Sequence, residues 1–113
     1  MSAGALEALG RVLEGGGEPD DVLRAAVDAL VAEPEIAWAA VAFLEEGHLV
    51  QGPAAGEPDE AVRRSVPVLY HGAPVGELRV DGDVEPALLE RAAALLSAHV
   101  LIGWDTGGER WQP

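Results

Sequence analysis

Val66-Pro67-Val68-Leu69-Tyr70-His71-Gly72-Ala73-Pro74-Val75-Gly76-Glu77-Leu78-Arg79-Val80 is the stretch that decides the fold. Its two apolar runs flank His71-Gly72-Ala73-Pro74, a tight connection by composition, so the runs read as a β-hairpin. The second run alternates, with Gly76, Leu78 and Val80 inward and Glu77 and Arg79 outward. The first strand extends from about Ala61 to Tyr70. Pro67 cannot donate to a ladder, which places that strand at a sheet edge or a bulge at that point. Gly72 suits a turn needing positive φ, and Gly76 inside a strand signals a bulge or a close backbone approach.

Toward the N-terminus, Ile36 to Glu45 is apolar on both faces. Trp38, Ala40, Ala42 and Leu44 point one way and Ala39, Val41 and Phe43 the other, as in a central strand covered on both sides. Glu45-Glu46-Gly47 is a turn signal, and His48 to Gly52 returns as a neighbouring strand. Gly52 to Asp59 reads as loop by composition. Two helices come first. Leu6, Leu9 and Leu13 share one face of a short helix that Gly15-Gly16-Gly17 stops. A second begins at Glu18-Pro19-Asp20-Asp21, buries Val22, Leu23, Ala26, Val27 and Leu30, and is bounded by Pro34.

Toward the C-terminus, Asp81-Gly82-Asp83 ends the sheet and Glu85-Pro86 opens the longest helix, running to about Gly103. Leu88, Leu89, Ala92, Ala93, Leu96 and Val100 form one apolar face. Ala94, Leu95, Ala98, Leu101 and Ile102 form a second apolar zone. A helix this apolar is covered on two sides: by the sheet, and by either the N-terminal helix or a partner subunit. Trp104 is expected to pack, and Trp111 to pack or to serve an interface. Residues 1–113 form a single domain, with 1–4 and 105–113 as flexible or peripheral tails.

Composition narrows the function. The chain has 113 residues, enough for one domain. No run approaches the roughly 18 apolar residues of a membrane span, and the start lacks a secretory pattern, so the expected location is the cytoplasm. Zero cysteines rule out disulfides, thiol nucleophiles and zinc ribbons. Twenty acidic and seven basic residues give a net charge of -13, which repels nucleic acid and anionic membrane. A basic partner protein is the sharper meaning of that charge, and plain solubility the plainer one.

Candidate chemistry is sparse. His48, His71 and His99 form no recognised ligand motif. Ser65 and Ser97 lie in no nucleophile elbow, and Glu45-Glu46, Asp20-Asp21 and Asp59-Glu60 fall at turns and helix starts. Gly15-Gly16-Gly17 lacks the Lys-Ser/Thr of a phosphate loop. Arg63-Arg64 could bind a carboxylate or phosphate, or simply lie exposed on a strand. The expectation is no catalytic residue, no metal, no cofactor and no enzyme.

The order helix, helix, strand, strand, loop, strand, strand, long helix resembles the GAF domain from about Leu6 to Val100. Val66 to Val80 looks like the family's Pro-apolar strand followed by its Gly-x-Leu strand. Glu85 to Val100 is similar to its closing helix, and Trp38 to Leu44 fits its first core strand. The resemblance implies a GAF-like α+β fold, with an antiparallel sheet of about four strands and the helices mainly on one face. It also implies that the first and last strands lie side by side at the centre. The chain departs from the family where a long segment roofs the ligand pocket, since Gly52 to Ala61 is short. The cysteines of the chromophore-binding and methionine-sulfoxide reductase branches are missing too.

The expectation is therefore a non-catalytic regulatory module acting through protein–protein contact. It would be a homodimer with an interface at Leu6, Leu9, Leu95, Leu101, Ile102 and Trp104. The alternative is a small-molecule sensor with a reduced apolar pocket at Trp38, Ala40, Val66, Tyr70 and Leu78.

Overall fold

In the computed structural model the described residues are 3–110, with side chains from Leu6 to Leu101. Helices α1 (Ala3–Glu14) and α2 (Pro19–Val31) precede strands β1 (Ile36–Glu45) and β2 (His48–Gly56). A single 3₁₀ turn (Glu60–Val62) leads to β3 (Arg63–Tyr70) and β4 (Ala73–Gly82), and helix α3 (Pro86–Arg110) closes the chain. The sheet order is β2-β1-β4-β3, with every neighbouring pair antiparallel. The first and last strands lie side by side at the centre, and β3, with Pro67, is an edge. Both expectations hold.

Each hairpin closes through two residues of positive φ: Glu46 (49°) and Gly47 (82°), then His71 (52°) and Gly72 (82°). That geometry matches the right-handed twist of the flanking strands. The glycine takes the left-handed conformation at no steric cost.

Among the described residues, α2 and α3 lie against one face of the sheet and α1 packs on both of them. Ala39 and Val41 of β1, Leu78 and Val80 of β4, and Val66 and Val68 of β3 meet Leu23, Val27 and Leu30 of α2. Leu89, Ala93, Leu96 and Val100 of α3 complete this layer. Pro19 opens α2 and Asp20 and Asp21 occupy its first turn, where acids complement the helix dipole.

Several element boundaries differ from the sequence reading, and β4 begins at Ala73, inside the expected connection, so that only His71 and Gly72 form the turn. Gly52 to Gly56, expected as loop, is strand: β2 runs to Gly56 and pairs as far as Trp38. Gly52 and Pro53 sit in a bulge opposite Val41, where the β1–β2 register shifts between Ala40 and Ala42. An edge strand and a bulge both tolerate a residue without an N–H. A Cβ on Gly52 would collide with the Phe43 ring, so glycine lets the ring lie against the strand. The strand read from Ala61 starts at Arg63, after the 3₁₀ turn. Finally, α3 continues past Gly103 to Arg110, into the stretch assigned to a tail. Glycines lower helix propensity without forbidding the helix.

Candidate functional site

Register assigns every strand residue to a face. Trp38, Ala40 and Ala42 stand opposite Asp81, Arg79 and Glu77 of β4, on the face turned away from the helices. Arg63 and Ser65 of β3 join them, opposite Asp81 and Arg79. Trp38 is nevertheless buried, and Ala40 and Ala42 are fully so. The Arg63 guanidinium lies over the Trp38 ring, 4.3 Å from its centroid. Such stacking is favourable because the ring face is negative.

Arg63 is held there by Asp81, whose side chain is fully buried. Arg63 Nε donates to Asp81 Oδ1 at 2.8 Å and Nη2 donates to Oδ2 at 3.0 Å, a two-pronged fit. The Asp59 backbone N–H donates to Asp81 Oδ2 at 2.6 Å, and the Glu57 N–H donates to the Ala37 carbonyl at 2.9 Å. The β2–β3 connection is thereby latched over the end of the sheet beside Trp38. On the same face Arg79 Nε donates to Glu77 Oε1 at 2.6 Å. Arg64 donates through Nη1 to the Val84 carbonyl at 2.7 Å, beside an open depression of about 460 Å³ formed with Ala61, Val62, Arg63, Gly82 and Asp83.

The hydrogen bonds from Arg63 hold the Asp81 carboxyl below the usual carboxylate range, against the opposing effect of burial. The Arg63 guanidinium is raised in turn, chiefly by its hydrogen bonds to Asp81. A folded-state pKa below the unfolded value means that this stabilisation is fully present above about pH 4. It is lost as pH falls through the lowered value. Asp81→Asn should therefore lower the melting temperature by about 10 °C at pH 7. The variant should also lack the part of the wild-type acid limb that Asp81 supplies. Thermal melts between pH 2 and 7, in steps of about one unit, would check this. Parallel curves for the two proteins would refute the latch.

The residues expected to line a pocket do not share one. Val66 and Leu78 belong to the core beneath the helices, whereas Trp38 and Ala40 lie on the opposite face. Tyr70 ends β3, its ring edge-on to His71 at 4.3 Å. Of the expected interface, Leu6 and Leu9 are buried in the chain's own core. Helix α3 receives α1 and α2 from the same chain, but Ala94 and Leu95 of its second apolar zone stay exposed. Leu95 is 42% exposed and Leu101 half-buried, while the side chains of Ile102 and Trp104 lie outside the described residues. His48 and His71 are exposed at the hairpin turns. His99 is half-buried, and its Nδ1 has no hydrogen-bond partner among the described residues. Among the described residues no group of three or more His, Cys, Asp or Glu could hold a metal.

Arg63 and Asp81 were missed as a pair. Their signal was present: Asp81 continues the outward set Glu77 and Arg79, and the hairpin register brings Arg63 directly opposite.

No protein-family model and no curated protein matches the sequence. Solved structures do. The GAF domain of a phosphoenolpyruvate-protein phosphotransferase from Acinetobacter is similar over 96% of this chain and 99% of its own, at 16% identity and a TM-score of 0.72. The fold is GAF-like. The same GAF-like fold occurs in the type II free methionine-R-sulfoxide reductase of Thermoplasma acidophilum, at 21% identity, TM-score 0.62, and 79% and 94% coverage of the two chains. It occurs again in the substrate complex of the Staphylococcus aureus free methionine-R-sulfoxide reductase, at 14% identity, TM-score 0.66, and 85% and 93% coverage.

These reductases overturn the expectation that the chain is not an enzyme. A GAF-like fold carries catalysis in them, so the fold does not argue against it. The likeness itself conveys fold alone, and this chain offers no thiol. Among the described residues, no helix is long and apolar enough to cross a membrane.

Proposed function

We propose that the chain is a cytoplasmic GAF-type regulatory module that works through protein–protein contact as a homodimer. The observation that carries this reading is the outer surface of α3. Ala94 and Leu95 are exposed there, and Ala98 and Leu101 are half-buried. Beside them a groove of about 400 Å³ separates α3 from β3, lined by Val66, Pro67, Leu69, Glu90 and Ala94. Leu69 at its rim is 46% exposed. From Pro86 to Leu101 the helix carries only Glu90 and Arg91 as full charges, and they cancel. Two copies of a chain with net charge -13 therefore meet with least repulsion along this surface.

Native mass spectrometry over a concentration series tests the reading. The expected result is a dimer in the wild type and at least about a tenfold weaker dimer in Leu95→Glu, with little change in the variant's monomer fold. A monomer at every concentration would sink it. So would a monomer that carries a copurified compound, which would favour the small-molecule sensor.

A further inference from the structure

We propose that the outer edge of β2 is a docking site for an extended segment of another protein, one with an apolar centre and lysine or arginine at its ends. This surface is distinct from the α3 face. The two sheet edges are built differently. β3 carries Arg63, Arg64 and Pro67, the charges and proline that blunt an edge against added strands. Among the described residues β2 pairs with β1 alone, and it has no Asp, Glu, Lys or Arg from His48 to Gly56, although a quarter of the chain is charged (24%). Leu49 is 42% and Val50 45% exposed. They lie on opposite faces, Leu49 across from Leu44 and Val50 across from Phe43. An added strand would find an apolar contact on either face while its main chain extends the ladder.

Charge selects the occupant. The neutral strand is bracketed by exposed acids, Glu45 at the end of β1 and Glu46 in the turn before it, and Glu57, Asp59 and Glu60 after it, the last of them 3.6 Å from Arg63. Helix α2, packed beneath β2, adds Asp20, Asp21 and Asp28 against one Arg24. A second copy pairing here would bring the same acids against each other, whereas a segment with cationic ends would neutralise them. The bulge at Gly52–Pro53, with no N–H at Pro53, confines the first ladder to His48–Gln51. Binding should accordingly be weak and salt-sensitive.

The probe is the peptide Lys-Lys-Thr-Val-Thr-Val-Thr-Lys-Lys, titrated into isotopically labelled full-length protein and followed by amide chemical shifts. The expected result is saturable shifts confined to β2 and its flanking acids. Binding should weaken at least about tenfold when the lysines become glutamates, and about fivefold in the Glu45→Lys/Glu57→Lys variant. That variant leaves the strand itself untouched, so a loss there is not a loss of fold. The proposal is overturned if millimolar peptide leaves β2 unshifted, or if both peptides bind alike. Shifts of β2 amides with protein concentration alone, the mark of a second copy, would overturn it too.

Discussion

Gly76→Val is expected to destabilise the domain by at least about 4 kcal/mol, which is exceptional for one substitution. Gly76 is buried on β4 opposite Phe43 of β1. A Cβ there would run into the Ala42 carbonyl and approach Val100 Cγ1 of α3 to 2.9 Å. The first obstacle is backbone in the central strand, which cannot retreat without breaking the ladder to β4. The second is a fully buried side chain in the core. Domains have only about 5–15 kcal/mol of stability to lose, so the melting temperature should fall by roughly 20 °C. Far-ultraviolet circular dichroism against temperature is the check. A variant melting with the wild type would mean that β1 and β4 can separate without cost.

Leu96→Ala should cost about 3 kcal/mol and lower the melting temperature by roughly 15 °C. Leu96 is fully buried on α3, within the layer that joins the helices to β1, β3 and β4. Removing it forfeits transfer energy and leaves a cavity that a packed sheet cannot collapse to fill. Urea unfolding should show a lower midpoint with an unchanged slope. Unchanged stability would mean that α3 docks on the sheet through other side chains.

These two residues were legible because periodicity marks them. The alternation of Gly76, Leu78 and Val80 and the helical spacing of Leu89, Ala92, Leu96 and Val100 both follow from local geometry. Strand β1 was legible to the residue for the same reason. The C-terminal half of β2 was not. Gly52 and Pro53 carry turn composition, and what makes them strand lies on β1: the Phe43 ring against Gly52 and Val41 opposite the bulge that the two residues form. The candidate pocket failed on a related point. Both faces of β1 are apolar, so alternation within each strand left open whether Trp38 or Ala39 shares a side with Val66. Only the pairing register answers that. Arg63 and Asp81 are separated by the whole hairpin, so their partnership too depends on register. The reductase likeness was beyond composition altogether, because the missing thiols argued one way and the shape of the chain another.

The strand order β2-β1-β4-β3 also bears on how the molecule assembles in time. Each outer pair closes through two residues and needs only its immediate neighbours in sequence. The central pair joins Phe43 to Gly76 and Ile36 to Gly82, so one long-range closure links two locally formed halves. Loop-closure entropy rises with the logarithm of length, and non-local pairings are the slow events in small domains. The seam between β1 and β4 is therefore the gate of folding, and Gly76 lies on it. A glycine that leaves the native core room to close also keeps the halves able to meet.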